Sequence, residues 1–267
     1  MFYAKFRYIA LILFLLLLES CAYQKEYNAV SKRGSAADKF NFAVKAYDKG
    51  DYKKAITVFE ELLPAYRGKD DFESLLYNLA YAYFYEKDYY MAAYYFRMSG
   101  RMFPGSASIE ETTYMSAYCK FLESPYYKLD QTATMEAIKQ LQLFINYYPN
   151  SPKVSEAARL IGEMRNKLAL KAFDLANMYY KRNLYNAASI AYYNFLRDYP
   201  ESVYREDAAF RMLRSRFLYA ENSIREKQAE RYARVGDAYE TFMRSFADSK
   251  YRKDADKFYA ISQSKLK

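Results

Sequence analysis

Histidine and tryptophan are absent from this chain of 267 residues. Without imidazole, Ser–His and Cys–His nucleophile pairs are excluded, and so is a zinc site built on histidine. Adjacent carboxylates do not fill the gap. Glu60-Glu61, Asp70-Asp71 and Glu110-Glu111 are sequence neighbours, and neighbours on a helix diverge by about 100°. They read as solvated charges rather than a general acid and base. The expectation is a protein that is not an enzyme and holds no metal or cofactor. Cysteine is almost missing too: Cys21 and Cys119 are the only two. Cys119 lies in a helical stretch between Tyr118 and Phe121 and reads as a small buried apolar residue. Glycine and proline are scarce, at 7 and 6 residues, so long helices with little punctuation are expected.

What the chain has in excess is tyrosine and phenylalanine, 33 and 19 residues, within a 52% hydrophobic composition. Formal charge is +9, but the 41 basic residues are interspersed with 32 acidic ones. Together with the export signal described below, that mixing argues against nucleic acid as a partner. A basic surface outside the cytoplasm more readily meets acidic protein or membrane headgroups.

Half of the prolines sit in a recurring turn. Phe103-Pro104-Gly105-Ser106, Tyr148-Pro149-Asn150-Ser151, Tyr199-Pro200-Glu201-Ser202 and Phe246-Ala247-Asp248-Ser249 are 45 to 51 residues apart. Each is followed six positions after its serine by a small residue: Thr112, Ala157, Ala208 or Ala255. Proline stops the preceding helix, the serine is expected to cap the next one, and the small residue permits close helix contact. A second signature recurs between these turns. Gly50-Asp51-Tyr52 precedes Ala55 and Phe59, Lys87-Asp88-Tyr89 precedes Ala92 and Phe96, and Asn183-Leu184-Tyr185 precedes Ala188 and Tyr192. A helix entry, a small contact and an aromatic plug one turn later is the tetratricopeptide pattern. The fold class expected is all-α, a tetratricopeptide-like helical solenoid of about five helix pairs. A proline-free run from Val154 to Lys181 would form one helix of roughly 42 Å joining the two halves.

The N-terminus carries Lys5 and Arg7 and then a ten-residue apolar run from Ile9 to Leu18. That is half the length needed to span a bilayer, and it reads as a signal-peptide core. It ends in Leu18-Glu19-Ser20-Cys21, which resembles the bacterial lipobox. The resemblance implies acylation of Cys21, stable anchoring to a membrane by more than one chain, and a mature protein that starts there. Four segments are expected: a signal peptide over 1–20, a lipidated N-terminus and polar tether over 21–34, N-terminal repeats over 35–152, and the long connecting helix with C-terminal repeats over 153–267. No acidic run follows the cysteine, and the periplasmic face of the outer membrane is the expected location.

Between the repeats, Ser124-Pro125 leads to Leu129-Asp130-Gln131-Thr132, then Ala137-Ile138 and Phe144-Ile145-Asn146-Tyr147-Tyr148-Pro149-Asn150-Ser151. With Leu168-Ala169, Phe173, Ala176 and Tyr179-Tyr180 on the long helix, these residues resemble the BamD family over nearly the whole mature chain. The resemblance implies an outer-membrane lipoprotein of the β-barrel assembly machinery. Such a protein holds a BamA-like barrel-forming subunit through its POTRA domains and helps receive unfolded outer-membrane proteins. A generic periplasmic tetratricopeptide adaptor and a glycan-binding lipoprotein are the rival readings.

Two candidate sites follow. Along the aromatic-rich segment 77–96 and the residue before it, Leu76, Leu79, Ala80 and Tyr83 make a core face, whereas Tyr77, Tyr81, Phe84 and Tyr85 share a second face. A single core stripe does not need that second face, which is either a client-peptide wall or a repeat interface. In the C-terminal half, Arg205, Arg211 and Arg214 point away from or flank the stripe Phe210, Leu213 and Phe217. They are candidates for docking a partner's carboxylates, with a solvated face as the alternative.

Overall fold

The computed structural model describes residues 22–267, so the signal-peptide and Cys21 expectations lie outside the described residues. Residues 22–33 are helical (α1). They are followed by α2 (Ala36–Asp48), α3 (Tyr52–Tyr66), α4 (Phe72–Tyr85), α5 (Tyr89–Met102), α6 (Ile109–Leu122), α7 (Thr132–Tyr147), α8 (Val154–Lys181), α9 (Tyr185–Asp198), α10 (Arg205–Glu221), α11 (Arg225–Ser245) and α12 (Arg252–Leu266). The described residues contain only helices, turns and bends. The long helix spans 28 residues, Val154–Lys181, the length its uninterrupted sequence predicts. Two compact units form: one comprises residues up to 124 with 136–157, the other residues 125–135 with 158–267.

Both turn types of the array are explained by their residues. At each tight turn the chain passes through the left-handed region, at Gly50 (φ 76°), Lys87 (φ 65°) and Asn183 (φ 60°). The N–H of the following residue reaches back five positions: Asp51 to the Ala46 carbonyl (2.9 Å), Asp88 to Tyr83 (3.0 Å) and Leu184 to Tyr179 (3.0 Å). These are Schellman closures, which satisfy carbonyls orphaned at a helix C-terminus. Asp51 and Asp88 then cap the next helix, accepting from the backbone N–H of Lys54 and Met91.

The aromatic–Pro–x–Ser turns behave alike. The serine N–H donates to the carbonyl of the turn's first residue at Ser106–Phe103, Ser151–Tyr148, Ser202–Tyr199 and Ser249–Phe246, at 3.0 to 3.2 Å. The serine hydroxyl does not cap the helix as expected. It accepts from the N–H two residues on, at Ser108, Lys153, Tyr204 and Tyr251, closing a local turn before the helix begins. Two of these hydroxyls also cross to the preceding repeat. Ser106 donates to Glu73 in the first turn of α4, and Ser249 donates to Glu206 in the first turn of α10 (2.6 Å). At these two turns the motif serine ties one repeat to the one before it. The small residue six positions on is fully buried in every case: Thr112, Ala157, Ala208 and Ala255 are each 0% exposed.

The first unit is built around Phe42, Phe59, Leu62, Leu75, Leu76, Leu79, Phe96 and the alanines Ala55 and Ala92. Cys119 is buried at its edge, where burial pushes the thiol up to about 12. Residues 22–33 of the expected polar tether are instead helical. Tyr23, Tyr27 and Val30, at i, i+4 and i+7, form an apolar stripe that packs on this core. Tyr23 stacks on Phe42 at 5.4 Å. The second unit closes around Ala188, Tyr192, Phe195, Phe210, Leu213, Tyr232 and Phe242. The loop 125–131 belongs to this unit, fastened by Lys167 Nζ donating to the Pro125 carbonyl (3.2 Å), Lys171 Nζ to Leu129 (2.6 Å) and the Tyr127 hydroxyl to Asp174 (2.7 Å).

Candidate functional site

Helix α4 carries the sequence FESLLYNLAYAYFY. Leu75, Leu76, Leu79 and Ala80 recur at helical spacing and are fully buried, which turns their face to the core. Tyr77, Tyr81 and Tyr85, at i, i+4 and i+8, then line up on an adjoining face. Their rings form a ladder, with Tyr77–Tyr81 centroids 4.9 Å and Tyr81–Tyr85 6.1 Å apart. Phe84 joins at 6.3 Å from Tyr81. All four candidate client-binding residues are therefore brought together.

The ladder continues onto neighbouring helices within the first unit. Tyr85 stacks on Tyr52 of α3 at 4.7 Å and lies 6.2 Å from Tyr47 of α2. Phe84 meets Tyr118 of α6 at 6.2 Å, and Tyr118 stacks in turn on Tyr114 at 5.9 Å. The result is a sheet of rings across α2, α4 and α6, the first helices of three successive pairs. Sequence reasoning isolated only the α4 segment of it. Tyr47 and Tyr118 sit in stretches whose local pattern is ordinary, and they join through tertiary packing alone.

Depth varies along the ladder. Tyr81 sits edge-on to the buried Phe96 at 4.9 Å, and its hydroxyl and that of Tyr77 both donate to the Glu111 carboxylate (2.5 and 3.0 Å). Burial first, and then the Glu111 hydrogen bond, push the Tyr81 phenol far above its ordinary range; Tyr77 is shifted the same way. These hydroxyls stay protonated at any physiological pH. Glu111 is thus more than the solvated charge its sequence context suggests, since it joins α6 to α4. Tyr85 is the open end of the ladder, 47% exposed. Tyr83, on the expected core face, is half-buried, stacks on Tyr95 at 5.5 Å and donates to Glu60 at 2.5 Å.

The three candidate docking arginines separate. Arg211 and Arg214 share one side of α10, with guanidinium carbons 6.0 Å from the Phe173 ring and 5.7 Å from the Tyr180 ring. Arg205 turns elsewhere, over Phe246 at 5.8 Å, with its Nε buried and making no hydrogen bond. Arg214 is the exposed member; Arg205 and Arg211 are half-buried. Cation–ring contact at these distances fixes a guanidinium while leaving its fork open to a carboxylate.

Among the described residues, no group of three or more acidic or cysteine side chains is arranged to hold a metal ion, and no helix is long and apolar enough to cross a membrane. Paired helices with Schellman turns, buried small residues at the crossings and an aromatic face on successive first helices define a tetratricopeptide-like repeat protein. A family model described as YfiO, outer membrane lipoprotein, matches residues 32–232. The chain belongs to that family of outer-membrane lipoproteins. No curated protein matches it. Among solved structures, the chain is similar to nearly identical tetratricopeptide-like repeats from a kinesin-light-chain candidate of Podosopora anserina. That match has 11% identity, covers 82% of this chain and 98% of the other, and has a TM-score of 0.33.

Proposed function

We propose that the chain is a BamD-type component of the β-barrel assembly machinery. It is anchored through Cys21 to the periplasmic face of the outer membrane, scaffolds a BamA-like subunit through its POTRA domains, and receives unfolded outer-membrane proteins. Family membership supports the lipoprotein and envelope part of this reading. The observation that carries the client part is the ring sheet across α2, α4 and α6, with Tyr85 and Tyr52 stacked at its open end. An extended segment with alternating aromatic and apolar side chains can lie on such a surface by stacking, at little entropic cost because the rings are already fixed by their neighbours. Arg214, exposed on the second unit, is the best placed of the three arginines to meet a partner carboxylate, with Arg211 beside it and Arg205 apart.

The client reading is tested with a photo-crosslinking amino acid at position 85 in the full chain, mixed with an unfolded outer-membrane protein. Capture of its C-terminal strand, competed by the free strand peptide, is the expected result. Equal capture from position 126, which lies in the other unit, would overturn the assignment.

A further inference from the structure

The helix α1 leaves no slack between the cysteine that ends the lipobox and the folded protein. Cys21 is followed directly by residue 22, which already belongs to α1. That helix is held at both ends. Tyr23 stacks on Phe42 and lies under the ammonium groups of Lys49 (4.9 Å) and Lys54 (4.7 Å). Glu26 pairs with Lys45 at 2.6 Å, and the helix closes at Gly34, whose N–H donates to the Val30 carbonyl at 2.8 Å. A side chain at Gly34 would meet that carbonyl oxygen at 2.6 Å, so the tight exit requires glycine. A lipid on Cys21 would therefore enter its membrane within a few ångströms of Tyr23.

Tyr23 marks one particular edge of the first unit. Its cation partners flank the α2–α3 turn, Lys49 at the end of α2 and Lys54 in the first turn of α3, where Lys53 pairs with Glu86 at the α4–α5 turn (4.0 Å). The two turns and the start of α1 thus form one rim. That rim presents Lys53 with 83% of its side chain exposed, and Tyr90 and Tyr85 at 67% and 47% exposure. Lys25, Lys49 and Lys87 are also exposed on it. Tyrosine with long-stemmed lysine is the combination that favours the boundary between headgroups and acyl chains. The rim's cations are nearly balanced by Asp48, Asp51, Glu86 and Asp88, so attraction to net negative charge is not its basis.

We infer that this rim rests in the headgroup layer of the membrane that receives the anchor. The axis of α4 then stands away from the bilayer, and the Tyr77–Tyr81–Tyr85 ladder runs down to the lipid surface with Tyr85 nearest to it. A segment held on the ladder would point its end toward the membrane. The inference rests on acylation of Cys21 and does not depend on which protein binds the ladder.

The test uses the acylated full chain in vesicles of phosphatidylcholine and phosphatidylethanolamine bearing a nitroxide on the headgroup. A fluorophore is placed in turn by Lys53→Cys, Lys87→Cys and Lys69→Cys. Cys119 stays silent because it is buried with a raised thiol pKa. Lys69 lies beyond the far end of α3, whose 15 residues place it about 20 Å from Lys53, more than the depth of a headgroup layer. Quenching is expected to be at least about threefold stronger at positions 53 and 87 than at 69, and unaffected by high salt. Twelve Gly/Ser residues inserted between 21 and 22 should lower the rim quenching at least about twofold. Equal quenching at all three sites, a reversed order, insensitivity to the insertion, or a free Cys21 thiol by mass spectrometry would each overturn the inference. Loss of the barrel partner or of client crosslinking would leave it standing.

Discussion

Tyr81 separates the structural from the functional share of the aromatic face. Its ring meets Phe96 edge-on at 4.9 Å and its hydroxyl donates to Glu111 at 2.5 Å. Tyr81→Phe keeps the ring and removes only the hydroxyl. A hydrogen bond to a charged acceptor contributes about 1.5–3 kcal/mol when shielded, but Glu111 is exposed and water competes, so about 1 kcal/mol is expected. Tyr81→Ala also removes the ring. Full burial of such a ring is worth about 3–5 kcal/mol; Tyr81 is half-buried, so about 2–3 kcal/mol in total is expected. Tyr85→Ala, which loses mainly its stack on Tyr52, should cost less than about 1 kcal/mol. Urea unfolding followed by circular dichroism gives the three values, and the cycle of Tyr81→Phe with Glu111→Gln should show a coupling of about 1 kcal/mol. A Tyr81→Ala protein as stable as wild type would refute the packing argument. A Tyr85→Ala loss of about 3–5 kcal/mol would mean that its ring is structural, and the client face would then have to lie elsewhere.

Ala55, Ala92 and Ala188 are 0% exposed at helix crossings, and leucine at any of them should overpack and cost about 1–3 kcal/mol; melting curves identical to wild type would contradict the repeat frame. Lys87 holds a left-handed conformation at φ 65°, so Lys87→Gly should be neutral or stabilise by up to about 1 kcal/mol, whereas Lys87→Val should lower the melting temperature. Burial alone would raise the Asp207 carboxyl, but hydrogen bonds from Tyr251 and Lys250 hold it below the usual carboxylate range. A depressed carboxyl stabilises the fold at neutral pH and loses that contribution as pH falls through its folded pKa. Acid unfolding of the second unit below about pH 4 should therefore be less pH-dependent in Asp207→Asn, and an unchanged acid profile would remove Asp207 from the list of responsible groups.

Local periodicity made the helices, their pairing and the buried small residues readable. The four turn serines are a clear case: spacing located them, and the motif fixed the shape of the turn. The longer-range role of two of them, Ser106 and Ser249, is not legible, because Glu73 and Glu206 lie 33 and 43 residues earlier in the chain. No local pattern marks such a pair. Glu111 looks like a solvated charge for the same reason, since its partners Tyr77 and Tyr81 sit 34 and 30 residues away. Helix α1 is different. Its stripe of Tyr23, Tyr27 and Val30 was present in the sequence, but its polar composition outweighed a three-residue stripe until the facing Phe42 supplied a surface to bury it. The arginines show the limit of a helical wheel, which places Arg205 near an edge but cannot see that Phe246, from another helix end, draws it away from Arg211 and Arg214.

The scaffold role is tested most directly by recovering the acylated full chain from envelopes in mild detergent and identifying what comes with it. A membrane β-barrel protein carrying POTRA domains should copurify, and Arg214→Glu combined with Arg211→Glu should reduce its recovery while helicity is unchanged. Absence of any such barrel protein from the wild-type preparation would contradict the proposed role.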